Sequence, residues 1–233
     1  KGRGLRVTSG SRISRSRSLQ RRCSCLASRS CAIRSKCIRS STPSAAFNTG
    51  SEATFFALRI ARAATGRDEI VLMQGGYNGW ADDVSFNLMD PREIVADHRE
   101  GEEDALRPIT AGIPRSLHAN VHAIEYNDLK AAEKLLATRK IAAVILEPIL
   151  QNVGIVKPKP GFLKGLRELC DTYGTVLVFD EVKTGFRSAL GGYASIAGVT
   201  PDLAAYGKAC ANGYPLAIVG GKREFMQYCN HAD

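Results

Sequence analysis

The first 43 residues contain no aspartate or glutamate, yet they hold 12 of the chain's 32 lysines and arginines. The formal charge of +9 is therefore lopsided. Residues 44–233 carry 20 basic against 23 acidic side chains, a net charge of −3. A nucleic-acid-binding fold needs basic residues gathered on its own surface, and this balance argues against one. No apolar run approaches the roughly 20 residues that a membrane-spanning helix requires. We therefore expect neither nucleic acid nor membrane as a partner. No G-x-G-x-x-G is present, which removes the dinucleotide-binding fingerprint from consideration. No internal repeat is visible. The seven cysteines also lack a metal pattern. Cys23-x-Cys25 and Cys31-x5-Cys37 match no zinc spacing and have no histidine nearby. With Cys170, Cys210 and Cys229 scattered, the set reads as reduced thiols of an intracellular protein.

The acid-free segment lacks clean apolar periodicity, and disorder is expected over residues 1–43. Three readings of it stay open: an organelle transit peptide, an Arg/Ser tail that binds nucleic acid, or an artefact such as a wrong frame or a retained intron. The expected location is cytoplasmic, or a plastid or other organelle under the first reading. From Ala45 onward the pattern changes. In "ATFFALRIARAA", Ala53, Phe56, Ala57, Ile60, Ala61 and Ala64 recur at helical spacing, and Thr65-Gly66 closes the helix. Short apolar strands are expected at 69–74, 120–126, 141–149 and 175–182, with two more in "LAAYG" and "PLAIVGG". Helices are expected at 127–140 and 161–173. Continuous apolar strands alternating with helices imply an α/β fold with a mostly parallel sheet and flanking helices.

Ligands of such sheets bind at the carboxyl ends of the strands, so the polar residues there carry the functional information. Asp180-Glu181-Val182 follows "TVLVF". Side chains alternate along a strand, which puts Asp180 and Val182 on one face and Glu181 on the other. An acid beside a β-branched group suits a flat heteroaromatic ring with an N–H; a strand-end Asp capping a loop accounts for the same residues. "NTGSEA" precedes the first helix. There Gly50 and Ser51 offer N–H groups to a phosphate, while an ordinary N-cap by Asn48 or Ser51 is the alternative. "GGYNGW" sets Tyr77 and Trp80 beside paired glycines, either to present an aromatic to a pocket or to pack locally. Glu147 ends the strand before Pro148, as a site acid or a solvated rim charge. Finally, Lys208 stands between the apolar runs of "DLAAYGKACANGYPLAIVGG", where a bare buried ammonium would be costly.

Together these residues give a phosphate cradle, an aromatic plate, an acid for a ring nitrogen and a lysine. Pyridoxal 5'-phosphate requires those four things. A lysine bonded to its aldehyde is no longer a bare cation.

The stretches "NTGSEAT", "GGYNGW", "ILEPI", "FDEVKTGFR", "GVTPDLAAYGKA" and "NGYPLAIVGGKREFM" resemble the class III pyridoxal-phosphate aminotransferases of fold type I. Within that class they resemble most the glutamate-1-semialdehyde 2,1-aminomutases and the transaminases grouped with them. The resemblance covers residues 47–228. It implies a Schiff-base and proton-shuttling role for Lys208 and a pyridine-nitrogen partner in Asp180. It further implies ring contacts from Val182 and Tyr77, a phosphate cradle at Gly50 and Ser51, and a place beside the cofactor for Glu147. It implies an amino donor and a keto or aldehyde acceptor as small-molecule partners, and a homodimer for the full-length protein. Three positions depart from the family pattern. Asn78 stands where the family often has His, Lys183 where Gln or Met is common, and Ala211-Asn212-Gly213-Tyr214 where glycines are frequent. These departures favour a transaminase over the dedicated aminomutase. The resemblance also implies a large domain incomplete at both ends, residues 44–233 being part of it, with little or no turnover from this chain alone.

Overall fold

The computed structural model describes residues 43–88 and 99–229, and the expectations for residues 1–42 lie outside that range. Seven strands form one sheet: β1 (Ser44–Phe47), β2 (Glu69–Met73), β3 (Val121–Ile124), β4 (Ile141–Leu146), β5 (Val176–Asp180), β6 (Leu203–Tyr206) and β7 (Ala217–Gly221). Their order across the sheet is β1-β7-β6-β5-β4-β2-β3. Strands β2 to β6 run parallel, while β7 is antiparallel to both β6 and β1. The mostly parallel sheet expected from the apolar runs is present. Strand β1 goes beyond the sequence pattern, because "SAAF" is too short to show a period and gains its hydrogen bonds only by lying against β7.

The central strands are apolar on both faces because helices cover both. Helix α1 (Gly50–Thr65) packs Ala53, Ala57, Leu58, Ile60 and Ala61 against one face, where Ile145 of β4, Val176 and Val178 of β5 and Ala205 of β6 meet it. The opposite face, with Val144, Leu177 and Phe179, is covered by α3 (Leu129–Leu136) and α4 (Phe162–Tyr173). The short helices are α2 (Arg115–His118), α5 (Tyr193–Ala197) and α6 (Arg223–Met226). Helices α3 and α4 are trimmed relative to the expected 127–140 and 161–173, whereas α1 starts ahead of its apolar period. In α3 the Asp128 side chain accepts from the N–H groups of Lys130 and Ala131 and starts the helix there.

Alternation along β5 decides which groups face α1. Val176 and Val178 lie on the α1 side, Leu177 and Phe179 on the other. Asp180 continues the first series and Glu181 the second. Glu181 does turn away: it accepts from the Tyr193 and Ala194 N–H groups at 3.0 and 2.8 Å and from the Thr184 hydroxyl. It is a structural anchor for the start of α5.

After β2 the chain places β3 on one side and β4 on the other. That reversal opens a crevice at the carboxyl ends of β2 and β4, where ligands of open α/β sheets bind.

Candidate active site

A cavity of about 270 Å³ lies at the carboxyl ends of the parallel strands, against the start of α1. Its lining includes all seven residues singled out from the sequence: Gly50, Ser51, Tyr77, Glu147, Asp180, Val182 and Lys208. They arrive from five separate segments. A second cleft, of about 580 Å³, is larger but shares only Ser51 with it. Among the described residues that cleft is lined by no lysine, and the one cation there, Arg62, is paired with Asp83 at 2.7 Å. Trp80 faces this outer cleft, 69% exposed, so only Tyr77 of the two aromatics is presented to the cavity.

Helix α1 begins at Gly50, three residues before the apolar period, and its N-cap is Thr49 rather than Asn48 or Ser51. The Thr49 hydroxyl accepts from the Glu52 N–H at 3.2 Å, and the Glu52 carboxylate accepts from the Thr49 N–H at 2.7 Å. This reciprocal box takes up the third N–H of the helix. The first two, on Gly50 and Ser51, have no intrahelical carbonyl to meet and stand at the cavity wall. Gly50 is needed for space: a Cβ there would lie 2.8 Å from Val182 Cγ1. Gly207 crowds the same valine from the next strand end, where an added Cβ would lie 3.2 Å from Cγ1. Val182 is thereby held in one place against the cavity.

Asp180 is 3% exposed. Its Oδ1 accepts from the Val182 N–H at 3.0 Å and its Oδ2 from Asn78 Nδ2 at 2.9 Å. Desolvation pushes its carboxyl up to about 7, with the Glu147 charge adding to the rise. The Asn78 and Val182 donors and the Lys208 charge pull the other way. A cationic ring N–H placed beside it would restore the anion.

Glu147 is 2% exposed. Its Oε1 accepts from the Tyr77 N–H and from Asn152 Nδ2, both at 3.1 Å. Its Oε2 is buried without a partner, an orphaned acceptor in the cavity wall. Burial raises this carboxyl above the usual range, opposed by those N–H donors and by the charge of Lys183.

Lys208 opens a short 3₁₀ turn after β6, with a left-handed φ of 44°. Contrary to the burial that its apolar flanks suggest, the residue is exposed, at the mouth of the cavity. The amine still loses part of its water there. Desolvation lowers its proton affinity, Lys183 and Arg187 lower it further, and Asp180 and Glu147 oppose them. The left-handed turn is a strained conformation for a lysine, of the kind that collects at functional sites.

Thr54, Asn78, Gly79 and Lys183 also line the cavity, and the sequence pattern does not single them out as site residues. Thr54 follows Gly50 by one helical turn, a spacing the sequence does display.

A family model, Aminotransferase class-III, matches residues 32–233. The chain belongs to that family. It is 47% identical over 182 residues to a glutamate-1-semialdehyde 2,1-aminomutase of Chloroflexus aurantiacus, the match covering 77% of this chain and 39% of the relative. A second aminomutase, of Desulfatibacillum aliphaticivorans, is 43% identical over 182 residues, with 77% and 40% covered. The chain thus spans about two fifths of the length of the curated relatives it matches. Among solved structures, an omega-transaminase from Sphaerobacter thermophilus superposes with a TM-score of 0.74 at 34% identity, covering 83% of this chain and 43% of that one. The fold is accordingly that of the pyridoxal-phosphate transaminases, and members of the family bind that cofactor.

The residues present fit such a group. The cavity has N–H groups at a helix start, a buried acid, an orphaned carboxylate oxygen and an accessible lysine of lowered proton affinity. Among the described residues no helix is long and apolar enough to cross a membrane.

Proposed function

We propose that this cavity is the pyridoxal-phosphate site of an amino-transferring enzyme, acting between a small amino donor and a keto or aldehyde acceptor. The observation that carries the reading is the convergence of Lys208, Asp180, Tyr77, Val182 and the start of α1 on one cavity. When bound, the cofactor supplies an electron sink that loosens a proton on the carbon bearing the amino group. Lys208 holds the cofactor covalently, and its amine, when free, takes that proton and returns it. Desolvation lowers the proton affinity of that amine, which favours the neutral form a base requires. Asp180 as an anion holds the ring nitrogen protonated. Val182, crowded by Gly50 and Gly207, and Tyr77 are the cavity residues that would pack on the ring. Gly50 and Ser51 donate their N–H groups to the phosphate. Glu147 offers its unpartnered Oε2 to a polar group beside the ring. A second copy of the chain is the expected partner of the whole protein.

The names of the relatives at 43–47% identity favour a particular second reading, glutamate-1-semialdehyde 2,1-aminomutase. In that case both amino transfers act on one carbon skeleton and yield 5-aminolevulinate.

The test is reductive trapping. The chain is incubated with pyridoxal phosphate, treated with borohydride, digested and mapped by mass. The cofactor is expected on Lys208 and is expected to be lost in Lys208→Ala. Attachment to Lys183 in the unaltered chain refutes the assignment. Chain loaded with pyridoxamine phosphate then separates the two readings. Spectral conversion by glutamate-1-semialdehyde alone supports the aminomutase, and conversion by simple keto acids supports the transaminase.

A further inference from the structure

Asn78 stands in the loop after β2, 2% exposed, and lines the cavity. Two hydrogen bonds locate it. Its carbonyl accepts from the Thr54 hydroxyl of α1 at 2.6 Å. Its side-chain amide donates to Asp180 Oδ2 at 2.9 Å. Asp180 Oδ1 is taken by the Val182 N–H at 3.0 Å, so each carboxylate oxygen meets one N–H donor. The charged groups facing Asp180 across the cavity are Glu147 from the end of β4, Lys183 from the turn after β5 and Lys208 from the turn after β6. Helix α1 contributes only Gly50, Ser51 and Thr54 to that wall.

We propose that Asn78 is the positioning residue that orients Asp180 and favours its anion against the desolvation of the site, its amide acting as a donor that carries no charge at any pH. The inference rests on the cofactor reading for its purpose and on the hydrogen bonds above for its content. A donor that bonds the charged form of an acid favours that form. An imidazole here would add a charge of its own on acidification. An amide does not, so the charge under the ring nitrogen then depends on Asp180 and its ionisable neighbours alone. Thr54 ties the Asn78 backbone to the helix that begins at the phosphate cradle, so the donor and the cradle keep a common reference.

The experiment follows the Asp180 carboxyl directly. Chain labelled with ¹³C-aspartate is titrated without cofactor, and Asp180→Asn identifies the Cγ resonance. Asn78→Ala is expected to make Asp180 a ten- to hundredfold weaker acid, the loss expected for one hydrogen bond to a charged group. Asn78→Ser carries the same expectation should the alanine variant not hold its fold. Asn78→His restores an N–H donor and is expected to bring the midpoint back to that of the unaltered chain or below it. A midpoint that does not move in a folded Asn78→Ala or Asn78→Ser chain overturns the proposal. Cofactor trapping on the same samples tells the two readings apart. Absence of trapping in the unaltered chain would count against the cofactor assignment and leave the titration result standing.

Discussion

Replacing Asp180 by Asn should flatten the dependence of stability on pH in the cofactor-free chain. The carboxyl is 3% exposed, and burial lifts it from the ordinary 3.8 to about 7. Between those values the folded chain holds a proton that the unfolded chain has released. Stability attributable to Asp180 is therefore present below about pH 4 and is lost as pH rises through 7. A shift of about 3 units at 1.36 kcal/mol each corresponds to a loss of ~4 kcal/mol. At about 2–4 °C per kcal/mol for a chain of this size, that is on the order of 10 °C in melting temperature. The substituted amide would leave one of the two N–H donors, from Asn78 or Val182, poorly paired. That costs about 1 kcal/mol at every pH, so it offsets the curve without bending it. The assay is calorimetric melting of both chains from pH 4 to 8.5, read as their difference so that Glu147 and the surface carboxylates largely cancel. The unaltered chain should lose stability relative to Asp180→Asn as pH rises. A difference that stays flat across that range would show Asp180 ionising as an ordinary exposed acid, and the reasoning about its burial would fail.

Two further perturbations probe the start of α1. Gly50→Ala puts a methyl 2.8 Å from Val182 Cγ1, with Gly207 close to the same valine, and overpacking of this kind costs about 1–3 kcal/mol. Urea titration should show the lowered midpoint, and an unchanged one would mean that Val182 has room to retreat. Thr49→Ala removes the hydroxyl half of the capping box, worth about 1 kcal/mol, while Thr49→Ser should keep it. Equal melting temperatures for all three chains would remove the box from the account.

Much of the site was legible because its groups interrupt apolar patterns. Asp180 and Val182 follow five apolar or small residues with a fixed alternation, and the alternation alone assigns their face. Glu147 is marked by the proline that stops its strand. Thr49 was also readable: Thr49-x-x-Glu52 has capping-box spacing, which decides among the neighbouring polar residues Asn48, Thr49 and Ser51. What could not be read depends on parts of the chain far away in sequence. The Asn78 amide bonds an acid 102 positions later. The exposure of Lys208 depends on which elements reach the mouth of the cavity, and flanking hydrophobicity does not report that. Strand β1 has no signal of its own, since an edge strand of four residues is defined by its neighbour.

The pairing of β1 with β7 also has a consequence in time. Ser44 lies opposite Gly220. A ribosome adding about 5–20 residues per second needs roughly 10–35 s to make the intervening stretch of some 180 residues. During that interval β1 has no neighbour to bond. The face of α1 that will meet Ala205 of β6 and Val219 of β7 is likewise uncovered. Gly50 also waits for Val182 and Gly207 before the cavity has walls. The apolar face of α1 therefore stays uncovered on the growing chain until β6 and β7 have been made.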